Sequence, residues 1–400
     1  MEASIPVLTA FPRHESGGSC RRQYRIISAL AGSGLKVLSV SGKPLFYGDV
    51  ADHVEQRVLK LPVRKREARL FRFVFSFSVI FFLPYFALRR GARATLVVTP
   101  LLSLLSVLCR IVGAPVILFL NDVPWPTGET SERFRVRRWF AEKRDTLGIL
   151  AASHIVCQTN AMRSEVIKRL PSRARRIVVL HPPMNIPGPA RAAESGALDR
   201  AAFQRWLAEF PQRKRKVAER FGLVERRLFL VTVGELSTRK NVEVLVRAIS
   251  ASQVEHRLSL VICGDGPERE SLVSIVAGLG LIDEIVFAGW IQDTAEVIAG
   301  CDLLVMPSQH VGTGSLVREA LGLGTGVIAS DVSDVREILQ HEELLFKPSH
   351  VQALSTKLAQ VVGVKGVLEQ IRRLCHGLIP AEPERSEKHL IDFVSGVARR

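Results

Sequence analysis

Short apolar runs bounded by glycine, proline or charge recur along the whole chain, each about the length of a buried strand. In the first half these are residues 5–10, 36–40, 96–99, 115–120, 154–159 and 177–180. In the second half they are 228–233, 258–263, 285–288, 303–306 and 327–329. Helical spacing fills the gaps between them. Ile26, Ile27 and Leu30 recur at that spacing before Gly32-Ser33-Gly34 stops the helix. Further helices are expected at 101–112, 131–150, 160–170, 201–220, 241–249 and 294–299, around Glu319, and late in the chain at 351–373 and 390–398. Strand, glycine loop, helix, strand is the opening of a doubly wound parallel sheet, and the order occurs in both halves. A proline-rich stretch, His181 to Pro189, separates them. The pattern predicts an α/β fold with an N-terminal Rossmann-like domain at 1–185 and a linker with a basic helical region at 186–225. A second Rossmann-like domain follows at 226–375, then a tail helix at 376–400, with a cleft between the two domains.

Composition agrees with this reading. Of 400 residues, 47% are apolar and only 6% aromatic, and mean hydropathy is +0.17, which is an aliphatic α/β balance. The six cysteines are scattered without metal-ligand spacing, so buried reduced thiols are expected. A net charge of +16 predicts a polyanionic partner. No zinc-finger spacing or RNA-binding aromatic motif is present, so specific nucleic-acid recognition is not expected. An anionic membrane surface is the better match. The apolar run at 5–9 is too short for a signal-peptide core and Met1-Glu2 lacks a basic start. A cytoplasmic protein, peripheral or monotopic on the inner face of the membrane, is the expectation.

Phe71 to Leu88 sharpens that expectation. It reads FRFVFSFSVIFFLPYFAL, with Arg64, Lys65, Arg66 and Arg69 before it and Arg89, Arg90 and Arg93 after. The run falls short of the ~20 residues a span needs, and Pro84 interrupts it. An interfacial helix with its basic flanks on head groups fits both features. A buried core helix and a true span remain the alternatives. Near the linker, Arg213-Lys214-Arg215-Lys216 reads as a solvated basic face.

Two glycine-rich loops carry the candidate chemistry. Pro307 to Glu337 passes from a strand through Gly312-Thr313-Gly314-Ser315 into a helix containing Glu319. Free N–H groups at such a helix start attract an anion, although tight strand–helix turns also need glycine on steric grounds alone. The second loop, Gly234 to Asn241, holds Arg239 and Lys240. In the first half, Gly17-Gly18 follows the first strand, and Asn121-Asp122 lies just past a strand end, where such sheets bind ligands or where a turn is capped. No GxGxxG is present, so nicotinamide binding is unsupported.

Four ordered blocks narrow the field: Val233-Gly234-Glu235-Leu236 with Arg239-Lys240-Asn241, Val261 to Pro267, Phe287-Ala288-Gly289-Trp290, and Asp302 to Ser308 with Gly312, Gly314 and Glu319-Ala320-Leu321. At this spacing the chain resembles family 4 of the glycosyltransferases, strongly over 228–340 and more loosely over 1–185. That resemblance implies a GT-B fold and a retaining transfer of sugar from a nucleoside-diphosphate donor to a lipid-linked or envelope glycan acceptor. It implies no cofactor and no metal, since no DxD occurs. It assigns Lys240 to the diphosphate and the backbone of Gly312, Gly314, Ser315 and Leu316 to phosphate at the helix start. Glu319 would hold the ribose hydroxyls. Gly17, Gly18, Gly234 and Arg239 would line the donor site, and Asn121 would stand for a histidine at the reaction centre. Trp290 and the Gly264-Asp265-Gly266 turn lie where the family shapes its base pocket. Three positions depart from the pattern: Val311 replaces a sugar-binding glutamate, Glu235 a phosphate-contacting arginine, and Asn121 the histidine. They keep two other readings in view: a non-catalytic nucleotide- or glycan-binding subunit supporting a partner transferase, and, with less support, a sugar-nucleotide epimerase.

Overall fold

Alternating apolar runs and helices build two wholly parallel sheets, each belonging to its own unit. The computed structural model describes residues 7–11, 26–41, 52–58, 85, 94–97, 103–120, 132–181, 198–291, 293–309, 314–379 and 385–399. The stretch 71–88, apart from residue 85, lies outside them. One unit comprises Met1–Pro182 with Ser386–Arg400, the other Pro183–Arg385.

Among the described residues the first unit holds seven strands: β1 (Val7–Phe11), β2 (Val37–Ser41), β3 (Val54–Val58), β4 (Ala94–Val97), β5 (Val116–Phe119), β6 (His154–Cys157) and β7 (Ile177–Val179). Their order across the sheet is 3-2-1-4-5-6-7. Successive side chains feed opposite faces, as the strand period demands. Val116 and Leu118 enter one core with Ile155 and Cys157. Ile117 and Phe119 enter the other with Val156, Ile27 and Leu30. The last helix of the chain, Arg385–Arg399, closes that second core with Leu390, Val394 and Val397. The residues 54–58, VEQRV, form the edge strand β3. Charged and polar residues at its centre hide it from a search for apolar runs.

The second unit repeats the plan with six strands among the described residues: β8 (Leu228–Val233), β9 (Leu258–Cys263), β10 (Ile285–Gly289), β11 (Leu303–Met306), β12 (Gly326–Ser330) and β13 (Leu345–Phe346). Their order, 10-9-8-11-12-13, puts the point where the winding reverses between β8 and β11. All six residues of β9 are buried, as expected for a sheet with helices on both faces.

The expected 201–220 helix is two, Arg200–Ala208 and Phe210–Phe221. The break falls at Glu209, with Pro211 in the first turn of the second helix, where its missing N–H costs nothing. The basic run on that second helix is not wholly a solvated face. Arg213 stacks 3.9 Å from the Trp206 ring centroid, and its Nε donates to the Ala299 carbonyl at 3.3 Å. Lys214 reaches inward to Asp302 at 2.7 Å. Four-residue charge blocks on a helix cannot all face one way, because successive residues are turned by about 100°.

Asp302 is the electrostatic centre of this unit. Its carboxylate accepts from Lys214 at 2.7 Å, from Arg372 at 2.8 Å and from the Phe229 N–H at 2.8 Å. The Asp302 N–H in turn donates to the Phe229 carbonyl at 2.8 Å. Asp302 is 4% exposed, so removing the carboxylate strands two cations with little water to repay them. Replacing Asp302 with Ala is expected to cost about 3 kcal/mol of stability, measured by urea denaturation of the purified chain. The same substitution at exposed Asp293, a helix cap, should cost about 1 kcal/mol.

Candidate functional site

In a doubly wound sheet, ligands bind beyond the carboxyl ends of the strands where the winding reverses. Here that place lies beyond Val233 and Met306. A small cavity opens there, lined by Gly234, Leu236, Lys240, Ile262, Met306 and Ser308 among others.

Backbone hydrogen bonds lace together the loops that frame it. Gly234 N–H donates to the Cys263 carbonyl at 2.9 Å, Gly264 N–H to Gly289 at 2.8 Å, and Leu236 N–H to Asp265 at 3.0 Å. Gln309 N–H bonds the Arg239 carbonyl at 3.0 Å, tying the loop after β11 to the loop after β8. Close approach makes one glycine obligatory. Gly264 has φ +154°, and a methyl group there would lie 1.8 Å from the Gly234 carbonyl oxygen. The Gly264-Asp265-Gly266 turn therefore supports the loop that carries Lys240.

Lys240 ends a turn whose N–H bonds the Ser237 carbonyl at 2.8 Å. Its side chain folds back over Gly234, and a methyl group there would lie 3.0 Å from Cε and 3.5 Å from Nζ. Among the described residues no group accepts a hydrogen bond from that Nζ. Burial first, then the like charge of Arg239, depress the ammonium pKa to about 8, against the opposing pull of Glu235. Close by, the Ser308 hydroxyl is buried and unpartnered, in a residue only 1% exposed. A half-buried cation that makes no ion pair or hydrogen bond, lining one cavity with an unsatisfied hydroxyl, suits an anion.

The helix Ser315–Leu323 starts in the loop that follows β11, the other strand at the winding reversal. Gly314 caps it at φ 59° with no side-chain acceptor, so the first helical N–H groups stay open to an anion. A methyl group on Gly314 would lie 2.1 Å from Ile338 Cδ1; the helix Ser333–Leu339 backs this turn. Ser315 is exposed and Leu316 half-buried. Glu319, also half-buried, follows Ser315 by one helical turn and shares its face.

Among the expected site residues, Gly234 and Lys240 touch. Arg239 is exposed beside them. Gly314, Ser315, Leu316 and Glu319 cluster at the start of the Ser315–Leu323 helix. Gly17, Gly18, Asn121, Gly312 and Val311 lie outside the described residues. Trp290 is 52% exposed at the end of β10. Ser308 was missed from the sequence: after a proline it reads as a turn residue, and only the fold shows it lining the same cavity as Lys240. Among the described residues no three His, Cys, Asp or Glu side chains gather as a metal would require. Burial pushes the thiols of Cys109, Cys157, Cys263 and Cys375 up to about 12, which leaves them inert at neutral pH.

Comparison with known proteins places this geometry. Residues 213–373 match the family described as glycosyl transferases group 1. Alpha-D-kanosaminyltransferase of Streptomyces kanamyceticus is 24% identical over 237 residues, 58% of this chain and 56% of that protein. The lipopolysaccharide core biosynthesis glycosyltransferase LpsD of Rhizobium meliloti is 30% identical over 184 residues, 43% of this chain and 50% of that protein. N-acetyl-alpha-D-glucosaminyl L-malate synthase of Bacillus anthracis is 27% identical over 126 residues, 32% of this chain and 33% of its own length. The matches thus span from a third to just over half of these relatives. Among solved structures, Anabaena HepE in complex with UDP-glucose superposes with a TM-score of 0.74 at 16% identity, covering 99% of both chains. WaaG, a glycosyltransferase involved in lipopolysaccharide biosynthesis, gives 0.69 at 16%, covering 98% of this chain and 100% of that one. The chain has the GT-B fold.

The half-buried Lys240 sets how stability of the unliganded protein varies with pH. Its pKa, about 8, lies below the ordinary 10.5, so below pH 8 the folded state carries a poorly solvated charge that the unfolded chain holds in water. Stability from this group therefore rises as pH climbs from about 8 to 10.5. Replacing Lys240 with Met is expected to stabilise the unliganded chain by about 2 kcal/mol at pH 7, the gain fading toward pH 10, as read by urea denaturation.

Proposed function

We propose that the chain is a group 1 glycosyltransferase of the retaining, family 4 type, transferring sugar from a nucleoside-diphosphate donor to a lipid-linked or envelope glycan acceptor. The observation that carries this reading is the Lys240 ammonium at the winding reversal, which makes no ion pair or hydrogen bond, with the Ser308 hydroxyl lining the same cavity and an uncapped helix start after the neighbouring strand. The likeness to HepE, whose structure contains UDP-glucose, and to the lipopolysaccharide enzymes LpsD and WaaG supports the classes of donor and acceptor.

In this reading the diphosphate sits on Lys240 and the N–H groups that begin the Ser315–Leu323 helix. Negative charge grows on the leaving phosphate as the glycosidic bond breaks, and a preorganised ammonium and helix dipole stabilise it without rearranging solvent. These cationic groups do the work a metal does elsewhere, so transfer is metal-independent. Glu319 accepts from the ribose hydroxyls and positions the nucleotide. The acceptor hydroxyl is deprotonated by the departing phosphate oxygen on the same face, which dispenses with a separate base. The +16 net charge draws the chain to the anionic inner face of a membrane, where a lipid-linked acceptor resides.

Glu235 favours a second reading. It is an exposed carboxylate where the resemblance implies a phosphate-contacting arginine, and a chain that binds nucleotide without turnover would tolerate it. Incubating the purified chain and membranes with a panel of UDP-, GDP- and ADP-sugars separates the two. Transfer from one donor is expected, with Lys240→Ala and Glu319→Ala each lowering kcat/KM by at least about a hundredfold. Nucleotide binding with no turnover of any donor, and cells unaffected by both substitutions, would favour the non-catalytic subunit.

Donor affinity should also depend on pH. The binding form of Lys240 is the cation, so UDP affinity is expected to weaken as pH rises from 7 through about 8, the pKa of the empty site, by calorimetric titration. Lys240→Arg, charged throughout, should flatten that profile even where it weakens binding.

A further inference from the structure

Two helices of the second unit begin at residues whose side chains leave their own helix uncapped. Asn241 precedes the helix Val242–Ala251 and Glu268 the helix Arg269–Gly278, and neither side chain accepts from the N–H groups that follow it. An asparagine at that position ordinarily accepts from the second or third helical N–H. Asn241 instead sends Nδ2 to the Ser349 hydroxyl at 3.1 Å, across 108 residues of chain. Glu268 accepts the Thr238 hydroxyl on Oε1 at 2.7 Å and gives its own N–H to the Leu236 carbonyl at 3.1 Å. Both side-chain bonds end on the loop that carries Lys240. One lands at Thr238, just before that lysine, and the other at Asn241, directly after it.

Backbone conformation marks the same place. Among the described residues, four that are not glycine take positive φ: Asn241 at 54°, Gln253 at 57°, Gln340 at 55° and Ser349 at 54°. Two of these four are the hydrogen-bonded pair. A left-handed residue that carries a side chain is strained, and it persists where its surroundings over-determine it. Ser349 leads into His350, whose Nδ1 accepts from the Ala353 N–H at 3.1 Å and caps the helix Val351–Gly363. That helix packs against Val242–Ala251. The pair therefore pins the starts of two packed helices to each other, with Lys240 at the entrance of one. Both side-chain bonds are exposed, so they stabilise the fold little. What they fix is position.

We propose that Thr238, Glu268, Asn241 and Ser349 are positioning residues, a clamp on both sides of Lys240 that holds its ammonium in the cavity lined also by Ser308. None of the four lines that cavity; they act through the lysine. With the turn pinned at Thr238 and Asn241, Nζ folds back over Gly234 instead of reaching into water. The charges that face this ammonium are Arg239 and Glu235, and neither is part of the clamp. The proposal rests on the donor-site reading above and names what prepares that site before a nucleotide arrives.

Two measurements on the full chain test it. One is the Lys240 pKa without nucleotide, by NMR of isotope-labelled lysine side chains, assigned through the signal lost in Lys240→Met. The other is calorimetric titration with UDP near neutral pH. Wild type is expected to titrate at about 8. Asn241→Gly keeps the left-handed backbone accessible and removes the bond; Ser349→Gly does the same from the other side. Each is expected to raise the Lys240 pKa from about 8 toward the ordinary 10.5 as Nζ gains water, and to weaken UDP binding about fivefold. The double variant should do no more than either single one, because both remove one bond. Thr238→Val should act in the same direction, and Thr238→Ser should restore wild-type behaviour. Gln253→Gly, at a left-handed residue beyond the far end of the same helix, should change neither reading. Circular dichroism on every variant separates lost fold from lost position; should a glycine variant unfold, Thr238→Val with its serine rescue reads the other side of the clamp. A wild-type Lys240 titrating near 10.5, a pKa that no clamp variant moves, or additive losses in the double variant would each overturn the assignment. A raised pKa in the variants with no UDP binding by wild type would support the clamp and sink the nucleotide reading. UDP binding that every variant retains in full, with the pKa unmoved, would sink the clamp and leave that reading standing.

Discussion

The Asp302 carboxylate is the interaction on which the second unit depends. It sits at the amino end of β11 and exchanges hydrogen bonds with Phe229 at the amino end of β8, while Lys214 and Arg372 converge on it from two helices. These are the two strands between which the winding reverses. Setting their stagger at one end sets where Gly234 and Pro307 emerge at the other, a strand length of about 15–20 Å away. A buried carboxylate with two cations and a backbone N–H stabilises little by itself, because desolvation consumes most of the Coulomb gain. What it contributes is register, and the candidate site inherits that register.

At the far end of the same strands the accounting reverses. Asp302 has more cationic partners than its charge requires; the Lys240 ammonium makes no ion pair or hydrogen bond among the described residues. The chain holds that ammonium over Gly234 by lacing three loops together through backbone hydrogen bonds, with Gly264 pressed against the Gly234 carbonyl. Such a site costs stability when empty and recovers it on binding an anion, which is how electrostatic preorganisation works.

Much of this was legible in the residues. Eleven strands announced themselves as apolar runs, since strands buried on both faces need no polar alternation. The edge strand β3, with Glu55, Gln56 and Arg57 at its centre, did not, because one side of an edge meets solvent. Glu209 and Pro211 broke a helix that periodicity alone had joined. The basic run at 213–216 misled for a related reason: charge content says nothing of which side chains a helix turns inward, and two of the four serve the core. Lys240 and Glu319 stood out through motif spacing, whereas Ser308 did not, since a serine after proline is an ordinary turn residue.

The sequence alone determined the repeated strand–helix order, the glycines that permit close loop contacts, and the motif spacing by which the chain resembles glycosyltransferases. All of these are local or periodic properties, carried by neighbouring residues and therefore readable along the chain. Tertiary structure decided which charges are neutralised. Lys214 finds Asp302, 88 residues away, while the Lys240 ammonium closes no ion pair among the described residues. Pairing between distant residues depends on which strands the fold makes neighbours, and desolvation depends on what then covers them. The glycine loop after β11, Gly314 onward, likewise follows a strand whose neighbour is β8, about 70 residues earlier in the chain, and only the parallel order of the sheet makes the two strands adjacent.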